Sequence, residues 1–164
     1  MSLSAELLVL GGLAEEREDA RAQLKMALES GKAAEVFSKM VSGLGGPDDL
    51  IERPMEYLPV AEVRVEVPAL KGGWVDRIDT RELGMAVVEL GGGRMRAEDG
   101  IDYAVGLSDI VELGQKMEKG EALCQVHARS KEEADRAVGR VKAAISLSEN
   151  QSSGQPVVYE IVSQ

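Results

Sequence analysis

Few residues in this 164-residue chain are of types that do chemistry. There is one histidine, His127, and one cysteine, Cys124. A single His beside a single Cys cannot build a zinc site of the His/Cys kind. His127 ends an apolar stretch with no Ser or Cys nucleophile close to it in sequence, so a hydrogen-bonded structural histidine is favoured over a general base. Cys124 alternates with Ala122 and Val126, which reads as a small core thiol rather than a nucleophile. Asp76, Asp79, Asp99 and Asp102 are numerous enough for a divalent cation but lack calcium-loop spacing, so helix caps and solvated surface are expected. The remaining candidate is Gly91-Gly92-Gly93-Arg94. Phosphate loops precede helices, where amide N–H groups and the positive end of the dipole converge. Here the glycines follow a predicted helix, which favours a C-terminal cap opening into a mobile loop. Gly92, Gly93, Arg94 and Arg96 are the one candidate set, able to reach a ligand or neighbouring domain. No catalytic residue, metal ligand or cofactor site is assigned.

The elements that would position these residues are legible as changes of period. Leu7, Leu8, Leu10 and Leu13 form an apolar cluster broken by Gly11-Gly12. Ala20, Leu24, Ala27 and Leu28 mark one helix face, stopped by Gly31. Ala33, Phe37, Met40, Val41 and Leu44 mark another. Three short helices enclose little and are expected to belong against something larger. The Leu7/Leu8/Leu10/Leu13 cluster is expected to expose an apolar patch that drives self-association or packs a terminal segment on a neighbour. From residue 60 the period becomes two. Val63, Val65 and Val67 alternate with charged residues as in a half-buried strand. A second strand is expected over 74–78. Asp79 and Glu82 suggest a capping box for a helix carrying Leu83, Ala86, Val87 and Leu90. Short strands follow near 103–107 and over 121–128. Ser130 and Glu133 suggest another capping box, for a helix carrying Ala134, Val138, Val141 and Ile145. A closing strand is expected over 156–162. The reading from residue 47 onward is α+β with a mixed or antiparallel sheet. The organisational break falls at Gly45-Gly46-Pro47, giving a helical segment 1–46 and a domain 47–164. Met1-Ser2-Leu3 reads as an added leader.

Charge narrows the function classes. The formal net charge is −10, with 29 acidic against 19 basic residues. Residues 47–128 hold 17 acids and 9 bases and so carry most of it. Such a balance argues against nucleic acid or anionic lipid as partners. Aromatic residues are 3% of the chain, too few for a base-stacking platform. No apolar run approaches a membrane span, and one cysteine fits a reducing cytoplasm. The stretch Gly114-Gln115-Lys116-Met117-Glu118-Lys119-Gly120-Glu121 has the turn chemistry of barrel-sandwich carrier modules. It lacks the tetrapeptide that presents their modified lysine. A carrier or scaffold of that type is the alternative reading.

Several motifs, in order and at matching spacing, resemble one family. They are Gly-Lys-Ala-Ala-Glu-Val-Phe at 31–37, Gly-Trp-Val at 73–75 and Ile-Asp-Thr-Arg-Glu-Leu-Gly-Met-Ala-Val-Val at 78–88. Leu-Gly-Gly-Gly-Arg at 90–94, Ile-Asp-Tyr-Ala-Val-Gly at 101–106 and Val-His-Ala at 126–128 continue the series. From Leu7 to Tyr159 the chain resembles the carboxy-terminal part of the pyrimidine nucleoside phosphorylases, the thymidine-specific bacterial enzymes most closely. The resemblance implies an α/β-hammerhead, barrel-sandwich-like domain at 47–164. It also implies that 1–46 contains the last helices of the α/β catalytic domain. It further implies a cytoplasmic homodimeric parent that phosphorolyses thymidine to thymine and 2-deoxyribose 1-phosphate. The family's Lys-His-Ser-Thr-Gly-Gly phosphate motif and its base-binding Arg, Ser and Lys have no counterpart here. His127, for instance, is followed by Ala128-Arg129. This chain is therefore expected neither to bind thymidine and phosphate nor to catalyse by itself, and to serve as a buttress or closing element. An independent enzyme of unrecognised chemistry is a third reading.

Overall fold

The computed structural model describes residues 1–151, 158, 160 and 162. The expected strand over 156–162 lies largely outside the described residues. The chain divides into two compact units, one containing Met1–Leu58 and the other beginning at Pro59.

The first unit is helical: α1 (Ser2–Leu10), α2 (Arg17–Glu29), α3 (Lys32–Gly43) and the single turn α4 (Pro54–Tyr57). Ala5 and Ala20 are its buried apolar residues, small side chains that let α1 and α2 approach closely. An ion pair from Arg17 to Glu6 (2.5 Å) joins the same two helices. Gly31, at φ +77, supplies the left-handed residue that ends α2. The apolar stripes exist but stay largely uncovered. Leu7, Leu10, Val36 and Leu44 are each at least 65% exposed. The three helices therefore enclose little, as their lengths imply. Residues after Gly46 still pack on this unit: Ser38 Oγ donates to the Asp48 carbonyl, and Tyr57 donates to Asp49.

The second unit holds β1 (Val63–Pro68), β2 (Gly73–Ile78), α5 (Thr80–Glu89), β3 (Gly106–Ser108), β4 (Lys116–Met117), β5 (Ala122–Ala128), α6 (Lys131–Ala144) and β6 (Ile145–Ser148). Among the described residues its strands form two antiparallel sheets, ordered β1-β5-β3 and β4-β2-β6. The class is α+β, without a closed barrel among the described strands. Val65 and Leu107 flank Val126 in register, and Val75 pairs with Leu147. The core between sheets and helices centres on Val67, Val75, Cys124, Val126 and Val141, all under 2% exposed. On α6 the buried residues are Ala134, Ala137, Val141 and Ala144, mostly small, so the helix lies close on the strands. Gly73 marks another close approach: at φ +152 a Cβ there would sit 2.6 Å from the Ser148 carbonyl oxygen.

Several boundaries differ from expectation for identifiable reasons. The strand anticipated near 103–107 begins at Gly106, because the Asp102 carboxylate accepts from the Ala104 amide and holds 102–104 in a turn. Ile145 leaves the α6 stripe and starts β6, where it pairs with Ile78. The Ser130–Glu133 capping box forms in both directions. Only half of the Asp79–Glu82 box forms: Asp79 accepts from the Glu82 amide. The Glu82 carboxylate is taken instead by Arg140, which also grips Glu89 through two bonds of 2.6–2.7 Å, tying α5 to α6. The two-residue β4 and four-residue β6 are too short to carry a period of their own.

Candidate functional site

The glycine run forms a packed cap that opens into a braced loop. After α5 the Gly91 amide donates to Val88 and the Gly92 amide to Val87. Gly91, at φ +93, is the left-handed residue. Gly92 and Gly93 are required by space. A Cβ at Gly92 would meet Val87 Cγ1 at 2.9 Å and the Val105 carbonyl oxygen at 3.2 Å. One at Gly93 would meet Val88 Cγ2 at 2.7 Å. The helix-capping reading of these glycines is therefore the one the geometry supports.

Beyond them, the Asp99 carboxylate accepts from the amides of Met95 and Arg96 at 3.1 and 2.8 Å, folding the tip into a turn. The Asp102 amide donates to the Gly91 carbonyl and closes the loop at its base. Asp102 then receives Arg129 as a two-pronged pair, Nε to Oδ2 at 2.6 Å and Nη2 to Oδ1 at 2.8 Å. Hydrogen bonding from Arg129, helped by the Ala104 amide, holds the Asp102 carboxyl down at about 2, against an ordinary value of 3.8. The same pair raises the Arg129 guanidinium. Arg129 also donates to the Val60 carbonyl, so one side chain joins the loop base, the end of β5 and the entry to β1. Arg94 and Arg96 are exposed and make no ion pair among the described residues. Of the candidate set, the glycines face packed neighbours and the arginines are free to meet an anion or a carboxylate.

His127 acquires a serine that its sequence neighbourhood does not show. Pairing of β3 with β5 brings Ser108 Oγ to 2.9 Å from His127 Nε2. The same hydroxyl donates to Asp109 Oδ2 at 2.9 Å. A hydroxyl has one proton. With that proton directed at Asp109, the Nε2-protonated tautomer of His127 donates to Ser108, and the imidazole in that tautomer does not act as a base toward the hydroxyl. A catalytic triad needs the carboxylate on the far nitrogen of the histidine; here it sits on the serine. His127 is hydrogen-bonded across the β3–β5 pair. Cys124 is 1% exposed, and burial pushes its thiol up to about 11, which leaves it a core residue with negligible thiolate.

Three of the four aspartates are caps or braces: Asp79 caps α5, Asp99 caps the loop tip and Asp102 binds Arg129, whereas Asp76 is exposed on β2. Among the described residues no three His, Cys, Asp or Glu side chains converge as a metal site. Lys119 and Gly120 (φ +93) occupy the turn between β4 and β5, closed by the Glu118 amide on the Glu121 carboxylate at 2.6 Å. No helix among the described residues is long and apolar enough to cross a membrane. What sequence reasoning missed are the partners Arg129 of Asp102, Ser108 of His127 and Arg140 of Glu82 and Glu89. These pairs are 19 to 58 residues apart and arise from strand pairing and helix packing. No local spacing encodes them.

Comparison with known proteins agrees with this architecture. The profile of the pyrimidine nucleoside phosphorylase C-terminal domain matches residues 74–148, the stretch from β2 to the end of β6. Thymidine phosphorylases from Burkholderia cenocepacia (strain HI2424) and Burkholderia orbicola (strain AU 1054) are each 51% identical over 162 residues. Those alignments cover 99% of this chain and 37% of each relative. The thymidine phosphorylase of Burkholderia lata is 51% identical over 160 residues, 98% of this chain and 36% of its own length. The chain thus spans little more than a third of the curated relatives it matches, corresponding to their carboxy-terminal portion. Residues 74–148 of the chain thus carry the pyrimidine nucleoside phosphorylase C-terminal domain.

Proposed function

We propose that this chain is the non-catalytic carboxy-terminal part of a thymidine phosphorylase. The parent would be a pentosyltransferase that converts thymidine and phosphate to thymine and 2-deoxyribose 1-phosphate. The observation that carries the reading is 51% identity sustained over 99% of the chain. In such a reaction a phosphate oxygen attacks the anomeric carbon, the C–N bond breaks, and the pyrimidine leaves with the electron pair. The site must bind phosphate and stabilise charge on the departing base. The chain's own histidine and cysteine, with Asp79, Asp99 and Asp102, are engaged in hydrogen bonds, packing, caps or an ion pair, which supports placing that chemistry elsewhere in the parent.

In this reading residues 1–46 finish the α/β domain and 47–164 form the accessory domain. The parent is a cytoplasmic homodimer, and thymidine and phosphate bind outside this portion. The loop with Gly92, Gly93, Arg94 and Arg96 serves as a closing element, excluding water when substrate is bound. The test is thymine release from thymidine and phosphate by the purified chain. The reading expects none above background; sustained turnover overturns it.

A further inference from the structure

We propose that the unit beginning at Pro59 carries a binding site for a small amphipathic oxyanion, a carboxylate or phosphate monoester joined to an apolar body. The inference stands independently of the phosphorolysis reading. A cavity of about 400 Å³ opens where the β1–β2 turn, the start of β5 and the α6–β6 junction meet. That volume falls within the range of small-molecule sites. Leu123 and Ile145, 3% and 6% exposed, are the most buried of the residues that line it. Leu147 adds to the wall, and Leu70, 69% exposed, stands as an uncovered apolar lip. The polar residues that line it are Lys71 from the turn, Lys142 from the last turn of α6, and Ser146.

Charge complementarity identifies the occupant. The chain has ten more acidic than basic residues, so a cavity lined by cations alone runs against its overall balance. Two lysines line this cavity and no Asp or Glu does. Neither lysine is in an ion pair among the described residues. The helix dipole accounts for a lysine in the last turn of α6, but Lys71 lies on a turn with no helix end to serve. Two lysines lining a cavity with an apolar wall match a ligand whose charged head accepts from lysine and whose body covers leucine and isoleucine.

The test is an amide NMR titration of the full chain with phenyl phosphate and with 3-phenylpropionate. Neutral 3-phenylpropan-1-ol and inorganic phosphate are the controls. Saturable shifts at Leu123, Ile145 and Leu147 with either anion are expected, and the tighter anion identifies the head group. The double variant Lys71→Gln/Lys142→Gln should bind about tenfold more weakly. Leu70→Glu changes an exposed side chain, leaves both lysines in place and should also weaken the anions. The proposal is overturned if neither anion gives saturable shifts at these amides up to about 10 mM, a limit near −3 kcal/mol. It is equally overturned if the alcohol or inorganic phosphate binds as tightly as the anions.

Discussion

Arg129 and Asp102, 27 residues apart, meet as a two-pronged ion pair of 2.6 and 2.8 Å that fixes the base of the glycine loop to the end of β5. The same guanidinium reaches the Val60 carbonyl. Three segments with no sequence relation are thereby held by one side chain. This makes the loop a braced structure whose position depends on a charged contact.

The pH dependence of that contact follows from the carboxyl. Asp102 is held at about 2 in the folded chain, below its ordinary 3.8, so its contribution to stability is present above pH about 4. It is lost as pH falls toward about 2, where the folded-state carboxyl protonates. The thermal midpoint of Asp102→Asn should lie below that of the parent chain at pH 6, and the gap should close between pH about 4 and about 2. A gap that stays constant over this window contradicts the assignment.

The glycines sort into two kinds by the space around them. Gly92→Ala and Gly93→Ala force a Cβ to within 2.9 and 2.7 Å of valine methyl groups and should destabilise the second unit. Val88→Ala should relieve Gly93→Ala, and Val87→Ala should relieve Gly92→Ala less, because the Val105 carbonyl oxygen stays at 3.2 Å. Gly84 and Gly139 lie in helix interiors, and a Cβ at either would meet nothing within 4 Å. Alanine at either should stabilise by roughly 0.4–1 kcal/mol. Denaturant midpoints of the four single variants and the two doubles decide the matter. Equal effects at all four glycines would refute the packing argument.

Burial separates two methionines in the same way. Met117, on β4, is 3% exposed and packed in the core, whereas Met95, in the loop, is 73% exposed. Met117→Ala should cost about 2–5 kcal/mol. Met95→Ala should stay within about 0.5 kcal/mol. Chemical denaturation of the two variants reads both, and comparable losses would count against the core as described.

Much of this fold is legible where a period is long enough to be read. The stripe of α5, the alternation Val63-Val65-Val67 and the box Ser130–Glu133 each encode their element locally. The two-residue β4 and four-residue β6 do not, since strands that short acquire identity from the partner they pair with. Glu82 shows the competition plainly. Its spacing from Asp79 suits a capping box, but Arg140, 58 residues away, takes its carboxylate once α6 packs on α5. At the candidate loop, the glycines could be read as a cap from their place after a helix. Their crowding against Val87 and Val88, and the brace from Arg129, depend on tertiary contacts.

The measurement that bears most directly on the account is a graft. This chain would replace the carboxy-terminal 162 aligned residues of the Burkholderia cenocepacia thymidine phosphorylase, with thymine release followed and folding checked by circular dichroism. The account predicts phosphorolysis by the graft and none by this chain alone. A folded graft without activity, or turnover by the isolated chain, would contradict it.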